Sequence, residues 1–381
     1  MPFCHAPWTN VDISPEGIIK PCCKFELQDY PRMNVRDVSF KEYKNSSWLG
    51  LVKQTWRHGK WPSGCNRCKI EEDNGIKSKR QLDLERWHNE YQEYDPEFHD
   101  HFLTASVAFG NTCNLKCITC GPIASSRWQK EYFAFEGKLV PRIDFYRNDF
   151  VEDFFKNSKG LIHLDIPGGE PFLSGIAEQL ELLRTYALWQ PHKMSLHYTT
   201  NATVWPGDEF WAAWKPFKEV EIQLSIDGTG DKFEFLRHPA KWDEVYTNIK
   251  RYQSITENNL KLSVSHTVSA LNVYYLPEFF DWCESEGLPK PWCGRVQQPA
   301  WLRPTVWRRH NREKIAEKLL ASRHEDVQAW GNLMLQENDS DRFIQFQHHI
   351  DWHNHYRGLD YLKVFPELRS WIKEGYYAPE K

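Results

Sequence analysis

From residue 103 onward the chain alternates between two patterns. Short β-rich runs occupy 103–109, "LIHLDI" (161–166), "MSLHYTT" (194–200), "VEIQLSI" (220–226), "LKLSVSHTV" (260–268) and "WCGRVQQ" (292–298). Amphipathic stretches such as "GIAEQLELLRTYALW" and "LPEFFDWCESEG" separate them. Strand and helix periods in alternation predict repeated βα units on a parallel sheet. Six units are too few to close an eight-stranded barrel. The expected fold is therefore α/β, an open, partial (β/α)6 TIM-like barrel. Residues 1–100 read as short irregular pieces, with turn signals at "SPEG" and "WPSG". Beyond about residue 305 the chain is polar and helical. The expected division is an N-terminal cysteine-rich segment (1–100), the barrel (101–304) and a helical C-terminal extension (305–381).

Composition excludes several classes. With 40% hydrophobic and 26% charged residues the chain reads as globular. A net charge of -4 argues against a dedicated nucleic-acid binder. No apolar run reaches membrane length, and the N-terminus lacks a secretory pattern, so a cytoplasmic protein without membrane partners is expected. The 18 Trp residues read as aromatics replacing aliphatics in the core. Ten cysteines in a reducing compartment point to metal rather than disulfides.

Three of these cysteines stand in "FGNTCNLKCITCGP" (109–122), spaced C-x3-C-x2-C. Cys113, Cys117 and Cys120 follow the first predicted strand, at the strand end where parallel α/β folds carry their sites. Three thiolates can hold three irons of a [4Fe–4S] cluster and leave the fourth iron open to a small chelating ligand. The alternative is a closed zinc site that borrows a distant ligand. Zinc leaves unexplained a "GGEP" turn (168–171) at the end of the next strand.

These residues resemble the radical S-adenosylmethionine (SAM) superfamily over roughly residues 103–300. The resemblance implies that Gly168, Gly169, Glu170 and Pro171 receive the amino group of SAM. It also implies that Thr200 and Asn201 of "TTNAT" form the ribose-side motif, and that Ser225 and Asp227 of "LSIDG" and Asn272 of "HTVSALN" add SAM contacts. Two positions depart from the pattern. Thr119 replaces an aromatic residue before the last cysteine, and Ala202 stands where the family has Gly, a tolerable change unless the backbone needs positive φ. The implied chemistry is one-electron cleavage of SAM to methionine and a 5′-deoxyadenosyl radical, which abstracts hydrogen from a substrate C–H bond. A flavodoxin or ferredoxin would supply the electron.

Five more cysteines precede residue 70. Cys4 and Cys22 flank Gly17 in a C-x12-G-x4-C pattern, and Cys65 and Cys68 form C-x2-C. Gly17 permits a tight hairpin that brings its two ends together, and the later pair completes four thiolates. By composition zinc suits such a shell. Beside a barrel of this kind the spacing resembles the SPASM and twitch modules, which implies one auxiliary [4Fe–4S] cluster. Those modules usually follow the barrel, whereas this one precedes it. Cys23 is an alternative to Cys22 as ligand.

Weaker signals complete the reading. Cys293 in the sixth strand is either a hydrogen donor to a substrate radical or a packed thiol. Cys283, beside Phe279 and Phe280, reads as core. His349 and His353 share a helical face, read as solvated, and "KSKR" (77–80) likewise. For the substrate, a peptide or protein stands first. A small molecule such as a sugar, aminoglycoside or nucleotide stands second, and a non-catalytic iron–sulfur or zinc scaffold third.

Overall fold

A computed structural model describes residues 2–73, 77–94, 100–140, 142–143 and 147–374. Nine strands are present among these residues: β1 (Asn10–Ile13), β2 (Ile18–Lys20), β3 (Met33–Asn34), β4 (Thr104–Val107), β5 (His163–Ile166), β6 (Ser195–Thr200), β7 (Glu219–Ser225), β8 (Leu260–Val268) and β9 (Trp292–Arg295). Their order is β3-β2-β1-β4-β5-β6-β7-β8-β9. The sheet is open, with β3 and β9 as its edges. All six runs expected after residue 103 are strands, and helices such as Ile176–Ala187, Trp242–Gln253 and Leu276–Ser285 separate them. None of the described helices is long and apolar enough to cross a membrane.

The N-terminal pieces are more ordered than their sequence indicates. β1 and β2 form an antiparallel hairpin closed by Gly17 at φ +81. β1 also pairs in parallel with β4, from Asn10 opposite Thr104 to Ile13 opposite Val107. Four residues carry too little periodicity to announce a strand. Pairing with a partner more than ninety positions away makes it one.

The chain forms two compact units. One comprises 1–112, 142–198 and 206–221. Its core is aromatic, as expected: Phe40 packs against Phe102, Phe150 and Phe154 with ring centroids 5.4–6.1 Å apart. The other comprises 113–141, 199–205 and 222–381. There the buried Trp307 packs on Phe343 and Phe346, which belong to the C-terminal helical part.

Candidate functional site

In the second unit the three-cysteine loop is held by the surrounding chain. Lys116 N donates to His238 O (2.7 Å), Ile118 N to Leu236 O (2.8 Å) and Ser125 Oγ to Leu115 O (2.5 Å). Leu115 and Ile118 are buried, so the residues between the cysteines anchor the loop in the core. Cys113, Cys117 and Cys120 remain half-buried. Burial pushes the Cys120 thiol up to about 12, with Cys117 and Cys113 adding to the effect. Burial also raises Cys117, while the Arg237 guanidinium works the other way. Neighbouring thiolates therefore need a positive group among them to persist. Among the described residues no three cysteine sulfurs lie within 4.8 Å of one another.

Lys116, between the first two cysteines, reaches the buried Glu131 at 2.6 Å. The same carboxylate accepts from His353 Nδ1 (2.5 Å) and Arg357 Nε (2.7 Å). Burial disfavours its charge, but His353, Arg357 and Lys116 outweigh that and hold Glu131 at about 2. Burial lowers His353, which stays neutral and donates from Nδ1. His349 and His353 are thus buried, which corrects the expectation of a solvated face. Two aromatic contacts explain why: Phe135 packs against His353, and Trp301 against His349. The sequence reading missed this brace. Its one local signal is a lysine inside the cysteine motif.

The later strand ends carry buried polar joints. Asn201 donates to Asn114 Oδ1 (3.0 Å) and lies 3.8 Å from Cys113 Sγ, and its Oδ1 accepts from Thr203 N (2.9 Å). Thr200 Oγ1 accepts from Ala202 N at 3.2 Å. Ala202 has φ +60, so this turn does need the left-handed conformation that glycine adopts freely. Asn248 braces it by donating to Ala202 O at 2.9 Å. Asp227 accepts from Thr267 N (2.7 Å) and pairs with Arg237 (2.9 Å). Asn272 donates to the carbonyls of Asp227 and Thr267 and accepts from Ser269. Ser225 meets Ser265 at 3.3 Å. Cys293 is half-buried with a raised pKa caused by burial, so its thiol stays protonated.

In the first unit the GGEP turn lies against the segment before Cys113. Gly169 N donates to Gly110 O and Glu170 N to Thr112 O (2.8 Å). A β-carbon at Gly169 would fall 2.3 Å from Thr112 O, so only glycine permits the approach. Gly168 has more room, its nearest atom being Gly110 O at 3.9 Å. Glu170 is fully buried, and Pro171 O accepts from Gln179.

The same unit holds the four-cysteine set. Cys4, Cys22, Cys65 and Cys68 line one cavity together with Lys24, Lys79 and Arg80. Burial raises the Cys4 thiol to about 12, with Cys68 also contributing. Glu26 N donates to Gly64 O, which ties the Cys22 turn to the Cys65 turn. Gly64 lets the Phe25 ring pack there, since a β-carbon would fall 2.4 Å from it. Cys23 lines a second cavity instead, so of the adjacent pair it is Cys22 that shares a cavity with Cys4, Cys65 and Cys68. Of the "KSKR" run, Lys77 is exposed as expected, whereas Ser78 is buried and Lys79 and Arg80 are half-buried. Arg80 clasps Glu72 and donates to Phe3 O, next to Cys4, and Lys79 pairs with Asp83. Its cations flank the thiols, whose negative charge they would balance.

No protein-family model matches the chain, and no curated protein matches it. Among solved structures it is similar to native anSMEcpe with bound AdoMet, at 15% identity and a TM-score of 0.43, over 57% of this chain and 59% of that one. The match thus spans less than two-thirds of that protein's length. It is also similar to Streptococcus suis SuiB bound to precursor peptide SuiA, at 14% identity and a TM-score of 0.40, over 83% and 69%. A third similarity is to TYW1 with a lysine-pyruvate adduct bound, at 12% identity and a TM-score of 0.34, over 58% and 74%. Likeness at this level identifies no function.

Proposed function

We propose that the chain is a radical SAM enzyme. The observation that carries this reading is the C-x3-C-x2-C loop after β4, held by backbone bonds from Lys116 and Ile118 and offering three thiols with no fourth. The GGEP turn after β5 and the polar turns after β6, β7 and β8 follow in the order the resemblance requires. Cys113, Cys117 and Cys120 would hold a [4Fe–4S] cluster, which would pass one electron from a reduced donor to SAM, giving methionine and a 5′-deoxyadenosyl radical able to take a hydrogen atom from the substrate. The chain's own part is to position and to neutralise. Arg237 offsets thiolate charge at Cys117. Glu170 and the GGEP backbone would receive the SAM ammonium, a charge-assisted bond of roughly 1.5–3 kcal/mol. Cys4, Cys22, Cys65 and Cys68 would hold an auxiliary cluster for electron transfer, and a flavodoxin or ferredoxin would be the donor.

Peptides and small molecules both carry C–H bonds that such a radical can attack. One observation favours the small molecule: a polar cavity in the first unit, described below. Anaerobic reconstitution followed by dithionite should give about eight irons per chain and release 5′-deoxyadenosine from SAM. Replacing Cys113, Cys117 and Cys120 with Ala should leave about four irons and no deoxyadenosine. Full iron in that variant, or no deoxyadenosine from the wild type, sinks the proposal.

A further inference from the structure

One face of the first unit's strands carries two polar rows in register. Asn10, Thr104, His163 and Ser195 stand opposite one another across β1, β4, β5 and β6. Two residues along, Asp12, Ser106, Asp165 and His197 do the same. Hydrogen bonds run along the rows. Thr104 Oγ1 donates to Asn10 (2.7 Å), and His163 Nδ1 meets Ser195 Oγ (3.0 Å). Ser106 Oγ donates to Asp165 Oδ2 (3.1 Å), and His197 Nδ1 meets Asp165 Oδ1 (2.7 Å). The alternate residues Val11, Leu164 and Leu196 are buried on the other face. A packed barrel fills its interior with Val, Ile and Leu. Polar rows there sacrifice that packing, which makes sense where a ligand must be met.

All the row residues except Ser195 line a cavity of about 180 Å³, also lined by Lys79, Asp83, Arg86 and Trp87. Its charges are mostly paired: Lys79 with Asp83 (2.7 Å), Lys20 with Asp12 (3.1 Å) and His197 with Asp165. Arg86 is exposed and lies over the Trp87 ring at 4.8 Å. Trp87 and His163 form a ring wall, with centroids 5.2 Å apart. Burial holds His163 neutral, at about 3, so it keeps one N–H and one lone pair. A carboxylate ligand would face Asp12 and Asp165, and an amine would need an acid not already paired. Hydroxyl groups both donate and accept, so they suit carboxylate, imidazole and hydroxyl partners together, and an indole face suits the C–H side of a ring.

We propose that this cavity binds a small, uncharged, polyhydroxylated molecule, its ring against Trp87 and its hydroxyls on the Ser106–Asp165–His197 row. The proposal stands on the geometry of the first unit and does not depend on the reading of the three-cysteine loop. It can be tested on the full-length reconstituted protein without SAM, using methyl β-D-glucopyranoside and myo-inositol as probes in saturation-transfer NMR and calorimetry. At least one should bind with a Kd of about 1 mM. Asp165→Asn and Trp87→Ala should each weaken that binding about tenfold, at unchanged circular dichroism. If Asp165→Asn misfolds, the half-buried Trp87 decides. Three results overturn the proposal: neither probe binds at about 100 mM, binding is unchanged in Trp87→Ala, or a serine-containing pentapeptide binds through these residues while the polyols do not compete.

Discussion

The two cysteine sites are built on opposite principles. The three-cysteine loop takes its shape from the polypeptide. Backbone bonds to residues 236–238, a buried Leu115 and Ile118, and the Glu131 brace define it before any metal arrives. The four-cysteine site joins a strand hairpin, a turn and a short helical segment, Asn66–Asp73. Its cross-links are mostly between side chains: the ion pairs Arg67–Glu26 and Lys24–Glu71 and the Arg80 bonds to Glu72 and Phe3 O, beside a backbone bond from Glu26 to Gly64. A preformed loop can leave one metal position open and still hold its geometry. For a shell drawn from separate pieces joined mainly through side chains, a metal closed on all four ligands would contribute to folding.

The contrast can be broken most visibly at the four-cysteine site. Replacing Cys65 and Cys68 with Ala should remove about four irons and make residues 2–73 sensitive to limited proteolysis. Substrate-free SAM cleavage should survive at the other site. A double variant that resists protease as well as the wild type would show that this segment does not depend on metal.

Next in size is the brace. Glu131→Gln leaves Arg357 and Lys116 without their buried counter-charge, and should destabilise the second unit by about 3–5 kcal/mol. Urea unfolding followed by tryptophan fluorescence measures this. A loss below about 1 kcal/mol would mean that the loop is held by its backbone bonds alone.

The same carboxylate sets a pH window. Its folded pKa is depressed to about 2 from the ordinary glutamate value of 4.5, because His353, Arg357 and Lys116 outweigh its burial. The associated stability is fully present above the unfolded value and disappears as pH falls through the folded one. It amounts to roughly 3 kcal/mol. The wild type should therefore lose stability between about pH 5 and pH 2, and Glu131→Gln should lose correspondingly less over that range. Parallel acid profiles would exclude Glu131 as the cause.

Ala202→Gly should have the smallest effect. Relief of the left-handed alanine is worth about 1 kcal/mol. Greater unfolded-state freedom and the loss of a buried methyl oppose it by about as much. The shift in Tm should stay within about 4 °C. A large loss would show that the methyl packs against the turn in an essential way.

Local chemistry made much of this molecule legible. Six strands, the C-x3-C-x2-C loop, the GGEP turn and the Gly17 hairpin all follow from short patterns, because cysteine spacing, glycine freedom and strand periodicity act within a few residues. Tertiary structure decided what depends on distant partners. His349 and His353 lie on a polar helix, and burial against Phe135 and Trp301 turns that face inward. β1 exists because β4 offers it an edge. The Asp12–Ser106–Asp165–His197 row needs four strands in one register before it is a row at all. Sequence separation hides such pairings: the energy of a buried charge or a strand edge is set by whatever the fold places beside it, not by its neighbours along the chain.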